Sequence, residues 1–341
     1  MIVSGRIGVA SLKQKYFFEL SGEHGTMPAA EAVACIRAES DEIPNYTSGP
    51  GYVIAEFDDT LSNSVAERIA MTQKLGRHLG SFEIGDTSFD RISIPEGTFA
   101  VRARRFEGMM EHVDTQDLTK KLGTILSEKN NVSLKEPDIE VRIFLSDRIH
   151  VFICEKDIDR TAFEERKVGE RPFFSPISLH PKYARASINL TCVKRGGTVL
   201  DPFCGTGGIV MEAAEMGMNV IASDFDERMV VGCLENMEHY GLKMYDHDVL
   251  DIGDVSKRFT DVDAIVTDPP YGRSTHTAGE DVMSIHRRAV DSVNECLKDD
   301  GKATMVLPYE LKTNVMNIEN VFVQRVHRSL SRHYHVLGKR P

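Results

Sequence analysis

Residues 266–272 read Val266, Thr267, Asp268, Pro269, Pro270, Tyr271 and Gly272: an apolar strand end, an acid, two prolines and an aromatic ring. That combination suits one kind of chemistry. An exocyclic amine on a nucleic-acid base is a poor nucleophile, because its lone pair is delocalised into the ring. Two acceptors must take its hydrogens and turn the lone pair outward. The Asp268 carboxylate and the Pro269 carbonyl are two such acceptors, on a loop stiffened because each proline holds φ near about −65°. Tyr271 adds a face on which a flipped base can stack. A Pro-Pro turn alone is commonly structural, so the reading needs a second motif beside it.

The second motif lies about sixty residues upstream. Val199, Leu200, Asp201, Pro202, Phe203, Cys204, Gly205, Thr206, Gly207 and Gly208 carry a strand into a glycine-rich turn, and residues 209–216 continue as a helix. Glycines let a backbone turn tightly and approach a ligand closely. Asp201 ends the strand, where it can meet the cationic end of a ligand. Asp224, about 20 residues on, is placed to take both hydroxyls of a ribose. Asp248, after the next short strand, is placed to touch an adenine amine. Three acids at successive strand ends suit an adenosyl ligand with a zwitterionic methionine tail, S-adenosylmethionine. Cys204, Gly205, Thr206, Gly207, Phe225 and Asp268 complete the candidate cofactor set. A dinucleotide suits the turn less, because the full G-x-G-x-x-G is missing and an acid precedes it. No G-K-[ST] follows, which excludes a P-loop. The bland alternative is a plain turn with surface acids.

These motifs need elements to position them. Residues 198–200, 219–223, 263–267 and 303–307 are short apolar strands, the first three separated by helical patterns, the signature of βαβ units in a parallel sheet. Residues 321–326 and 334–337 suit an antiparallel pair. The first half alternates strand and helix: strands at 15–20, 51–57 and 98–104, helices at 28–37 and 64–79, and a helix capped by Thr115. Residues 140–145 and 150–154 suit a hairpin. The charged, irregular stretch 155–171 reads as a linker. No internal repeat or low-complexity run interrupts the chain.

At 341 residues the chain is long enough for two or three domains, with 41% hydrophobic and 27% charged residues, as in an ordinary globular protein. No segment approaches the ~20 apolar residues of a membrane span. The start shows no signal-like apolar region, and six scattered cysteines without C-x-x-C argue for reduced thiols in a cytoplasm, with no metal cluster. The net charge of −11 argues by itself against a nucleic-acid partner. Basic residues are nonetheless clustered. Arg102, Arg104 and Arg105 sit together, and from Arg325 onward Arg328, Arg332, Lys339 and Arg340 follow with no acid among them. Alternation at 98–104 buries Phe99, Val101 and Ala103 and presents Arg102 and Arg104 on one strand face.

With both motifs in view, the C-terminal half resembles the class I S-adenosylmethionine-dependent methyltransferases that act on base amines. The run 201–208 together with 268–272 is most similar to the tRNA guanine-10 N2-methyltransferases of archaea and eukaryotes. Residues 171–185 resemble that family's segment walling the cofactor pocket, and 325–332 its final hairpin. Residues 97–108 and 136–144 resemble the THUMP arrangement. The resemblance implies an α/β chain with a Rossmann-like methyltransferase sheet at the C-terminus and N-terminal α+β ferredoxin-like and THUMP domains. The implied boundaries are a ferredoxin-like domain at 1–60, an RNA-binding THUMP domain at 61–155, a linker at 156–172 and a methyltransferase domain at 173–341. It implies Asp268, Pro269 and Tyr271 as catalytic residues, and tRNA as the partner, held by Arg102, Arg104, Arg105, Arg325, Arg328 and Arg332. Some relatives of this family use a small zinc-binding activator protein. The competing readings are a guanine-N2 enzyme for another RNA position, a DNA adenine-N6 or cytosine-N4 enzyme, a small-molecule methyltransferase, and a catalytically idle RNA-binding protein.

Overall fold

The structure, a computed structural model, describes residues 12–86, 88–175, 178–272, 279–328 and 330–340. Most of the segment used for the signal-peptide expectation lies outside them, as do Pro176 and Ile177 of the pocket-walling run and Ser329 of the final hairpin. The chain divides into two compact units: residues 1–25, 39–67 and 72–158, and residues 26–38, 68–71 and 159–341.

In chain order the first stretch runs β1 (Lys13–Leu20), α1 (Met27–Ser40), β2 (Asn45–Gly49), β3 (Tyr52–Asp58), α2 (Ser62–Arg68), β4 (Thr72–Phe82), β5 (Thr98–Arg105), α3 (Thr115–Leu126), β6 (Asn131–Val132), β7 (Ile139–Leu145) and β8 (Ile149–Asp157). One eight-stranded sheet takes in all these strands, in the order β2-β3-β1-β4-β8-β7-β5-β6. The boundary expected at residue 60 therefore falls inside a continuous sheet, where β1 hydrogen-bonds directly to β4. Helix α3 covers part of it through Leu118, Leu122 and Leu126, one face at i, i+4 and i+8. Its cap is Asp114 rather than Thr115: the Asp114 carboxylate accepts from the Gln116 and Asp117 N–H groups.

The helix expected over 64–79 stops at Arg68, and β4 begins four residues later. Apolar spacing there favours a helix, but long-range partners override it. Arg68, 1% exposed, donates through Nε to Asn189 Oδ1 at 3.0 Å and through a terminal nitrogen to the Val193 carbonyl at 2.9 Å. The Ala70 and Met71 N–H groups both go to the carboxylate of Glu31, at 2.9 and 2.8 Å. Those N–H groups would otherwise continue a helical ladder.

The rest of the chain adds α4 (Thr161–Glu165), α5 (Pro181–Leu190), β9 (Thr198–Asp201), α6 (Gly208–Glu215), β10 (Asn219–Asp224), α7 (Glu227–His239), β11 (Asp246–Val249), α8 (Val255–Arg258), β12 (Val262–Thr267), α9 (Val282–Cys296), β13 (Leu297–Leu307), β14 (Asn317–His327) and β15 (Leu330–Gly338). The sheet order is β11-β10-β9-β12-β13-β15-β14, parallel from β11 to β13 and antiparallel beyond. The crossover direction reverses between β9 and β12, so the crevice beyond their carboxyl ends is where a ligand belongs. Two apolar cores flank this sheet. One gathers Ala184, Ile188, Val210, Val230 and Tyr334; the other gathers Val255, Ile265, Val290, Val293 and Met305.

The stretch expected as a linker is largely folded. Phe163 is buried in the first of those cores. Arg166 bonds Glu212 at 2.7 and 3.3 Å, and Arg185 bonds the same carboxylate at 2.9 Å, with Glu212 almost fully buried. Of the charges that make the stretch look solvated in sequence, Arg166 is paired with a carboxylate from α6.

Candidate active site

The cofactor loop begins where β9 runs out. Asp201, 1% exposed, accepts from the Phe203 N–H at 3.1 Å and from Thr267 Oγ1 at 2.8 Å, tying the ends of β9 and β12 together. The turn needs its glycines. Gly205 and Gly207 have φ of 49° and 84°, and a Cβ on Gly207 would meet the Cys233 sulfur at 2.6 Å. Asp224, at the end of β10, accepts from the Gly205 N–H at 3.0 Å and the Asp226 N–H at 3.0 Å. It thus holds the turn as well as facing the crevice.

A cavity of about 290 Å³ opens here, lined among others by Ser178, Asp201, Asp224, Phe225, Asp268 and Tyr271. Cys204, Gly205 and Thr206 line it too. The Cys204 thiol meets Cys233, and that contact together with burial pushes it well above the ordinary thiol range. Gly207 shapes the turn from behind. Asp248 is not among the lining residues, and its half-exposed carboxylate lies 3.4 Å from Arg258 Nε. The pairing arises because β11 is the sheet's edge and α8 presents Arg258 beside it.

Sequence reasoning missed several positions. Arg171, buried, donates to the Arg166 carbonyl at 3.0 Å and to Thr206 Oγ1 at 3.3 Å, fastening the wall of the cavity to the loop. Asn236 on α7 does the same through the Phe173 and Thr206 carbonyls. Ser175, Ser178 and Leu179, from the run 171–185, reach the lining themselves.

Burial drives the acids here. Asp201 is pushed up to about 7, with Asp224 and Asp268 adding repulsion. Asp224 is raised by burial as well. Asp268 is pushed up to about 6 by burial, against the pull of Arg332 and of the Tyr271 hydroxyl. The Tyr271 O–H donates to Asp268 Oδ1. Asp224 and Asp268 thus both repel the buried Asp201 carboxylate, an environment that favours a nearby cation.

Arg332 also has charged and hydroxyl neighbours within the site. The guanidinium sits beside Asp268, Tyr271 and Tyr334, where their charges and hydroxyls raise its own pKa. Arg325 and Arg328 lie on the exposed part of the same hairpin. They lie on different parts of the hairpin: Arg332 belongs to β15, Arg325 to the edge strand β14, and Arg328 follows β14. In the first unit, Arg102 bonds Glu140 at 3.0 Å, Arg104 bonds Glu19, and Arg105 donates to the Val113 carbonyl at 2.7 Å. These arginines carry local partners rather than forming a bare basic face.

Comparison with known proteins settles the family. Residues 168–333 match the RMKL-like methyltransferase domain and residues 88–153 the THUMP domain. The tRNA (guanine(10)-N2)-dimethyltransferase of Methanothermobacter thermautotrophicus is 34% identical over 333 residues, covering 94% of this chain and 98% of that protein. The chain belongs to the tRNA (guanine(10)-N2)-dimethyltransferase family. A second family member, from Pyrococcus abyssi, is 34% identical and covers 81% of this chain and 86% of its own length. Among solved structures, TrmN from Thermus thermophilus shares the fold with a TM-score of 0.54 at 19% identity, covering 96% of this chain and all of that one.

Proposed function

We propose that this protein transfers a methyl group from S-adenosylmethionine to the exocyclic N2 amine of guanosine 10 in tRNA, giving N2-methyl- and then N2,N2-dimethylguanosine. The observation that carries the reading is Asp268 and Tyr271 facing the same cavity as Asp201 and Asp224. The cavity's charge suits this cofactor. A sulfonium with an ammonium tail offsets the repulsion that Asp224 and Asp268 exert on Asp201, whereas a dinucleotide's pyrophosphate adds to it. Asp201 and Asp224, the turn around Gly205 and the Phe225 ring are the groups that would hold it. When bound, it supplies an electrophilic methyl group.

The chain's own residues do the rest. Asp268 accepts one hydrogen of the guanine amine and the Pro269 carbonyl the other, which directs the nitrogen lone pair at the methyl group. As the nitrogen gains its methyl it becomes cationic, and the Asp268 carboxylate takes the surplus proton. A carboxyl held near 6 is ionised at neutral pH yet basic enough for that transfer. Tyr271, its hydroxyl engaged by Asp268, presents its ring to the base. Arg332 steadies this pair, and Arg325 and Arg328 grip the phosphates near the flipped nucleotide. The matched THUMP domain supports RNA over DNA as the substrate.

The test is incubation of unmodified tRNA transcript with methyl-labelled cofactor, followed by nucleoside mass mapping. Label in dimethylguanosine at position 10 supports the proposal. Label at another guanine, or in adenine or cytosine, overturns the position or the base.

A further inference from the structure

The proposed amine-acceptor loop is braced from behind. His286, on α9 and 1% exposed, has its Nε2 at 2.8 Å from the Pro270 carbonyl oxygen and its Nδ1 at 2.8 Å from the Tyr309 hydroxyl. The roles of the two nitrogens follow from their partners. A proline carbonyl can only accept, so Nε2 carries the hydrogen. Burial lowers the ring's pKa and keeps it neutral, so Nδ1 is an acceptor and the Tyr309 hydroxyl donates to it. Neither residue lines the cavity. A buried histidine with both nitrogens satisfied is ordinarily core furniture, but this one ends on the carbonyl between Pro270 and Tyr271.

That carbonyl controls what the loop presents. Both prolines have φ locked, so ψ at Pro269 and Pro270 is the freedom left to the loop. Holding the Pro270 oxygen sets the plane of the Pro270–Tyr271 peptide. This sets where the Tyr271 ring lies and, through the Tyr271 hydroxyl, which way Asp268 Oδ1 faces. Small misplacements of such acceptors cost rate steeply, because the amine must be aligned with the transferring methyl.

We infer that His286 and Tyr309 form a positioning pair that holds the Asp268–Tyr271 loop in its reactive geometry through the Pro270 carbonyl. Neither residue touches the substrate, the cofactor or the reacting atoms. The inference rests on the reading of Asp268 as the amine acceptor, and the test separates the two.

The experiment measures steady-state kinetics of the full chain on tRNA transcript, with cofactor affinity by calorimetry and a melting curve for each variant. His286→Leu should lower kcat by about tenfold or more, with the KM for tRNA and the cofactor Kd within about threefold of wild type. His286→Gln keeps a donor and an acceptor at nearly the same spacing and should recover to within about threefold of wild-type kcat. Tyr309→Phe should lose less than His286→Leu and add little to it in the double variant, because both act through one bond. If His286→Leu folds and keeps more than about half of kcat, or if His286→Gln is as slow as His286→Leu although both melt near wild type, the pair does not position the loop. If His286→Leu fails to fold, Tyr309→Phe decides: unchanged kcat overturns the inference and a fall in kcat alone supports it. Asp268→Ala, assayed alongside, should be nearly inactive. An active Asp268→Ala overturns the amine-acceptor reading itself, which an active His286→Leu does not.

Discussion

Asp268 has two demands on it at the scale of one residue. In the proposed reaction it must be ionised to accept the amine hydrogen, and basic enough to take the proton afterwards. Burial raises it to about 6, while Arg332 and Tyr271 pull the other way. As pH falls through that value the acceptor is lost, so kcat/KM should drop about tenfold per pH unit below ~6 and level off above it. Replacing Arg332 by Gln removes the opposing charge and should move the midpoint upward. A profile flat to pH 5, or a midpoint unmoved by Arg332→Gln, would place the critical titration elsewhere. Asp224 is proposed to serve the cofactor instead. It both braces Gly205 and faces the cavity. Asp224→Ala should weaken S-adenosylmethionine binding by about tenfold or more, read by calorimetry, since a charged acceptor is lost. Unchanged affinity would move the ribose contact to Asp226, which also lines the cavity.

Among the elements, the final hairpin has two faces with different work. β15 is buried from Tyr334 to Gly338 and carries Arg332 to Asp268, while the tip of β14 exposes Arg325 and, just past it, Arg328. The double change Arg325→Ala and Arg328→Ala should weaken tRNA binding and lower the slope of log affinity against log salt by about one to two. Cofactor affinity should stay as it is. Measured binding at several salt concentrations checks this, and an unchanged slope would mean that neither arginine meets a phosphate. Their different places on the hairpin separate these roles, and sequence proximity had merged them. Arg102, Arg104 and Arg105 were grouped in the same way. The acids beside Arg102 and Arg104, Glu140 and Glu19, come from β7 and β1 and are invisible at positions 102–105.

The catalytic unit is not one continuous stretch of the whole molecule. Residues 26–38 and 68–71 count with it, and Met27, Ala70 and Met71 are buried in its core. Asn189 on α5 donates to Glu31 at 2.7 Å and to the Arg68 carbonyl at 2.9 Å. A chain of residues 159–341 alone loses all of these partners. It loses those hydrogen bonds and opens to water the apolar surface that Met27, Ala70 and Met71 cover, at about 25 cal/mol per Å². We expect such a chain to melt well below the full protein, and S-adenosylmethionine binding to weaken with the loss of folded material. A truncated chain with wild-type melting and affinity would show those segments to be dispensable. Division of labour between tRNA binding and chemistry is therefore better tested with point variants than by cutting.

What the sequence determined by itself is what contiguous residues encode. Strand ends, the glycine turn after Asp201 and the proline pair after Asp268 are local backbone chemistry, so the parallel sheet and the three cavity acids Asp201, Asp224 and Asp268 could be placed from spacing. The boundary of α2, the partners of Arg166 and Arg185, the destination of Arg332 and the brace from His286 were decided by tertiary structure alone. Each depends on a residue far away in the chain: Glu31 with Asn189, Glu212, Asp268, and Pro270 with Tyr309. No local pattern specifies such a pairing. A buried charge or imidazole takes whichever partner the packed fold brings within reach, and only the fold says which one that is.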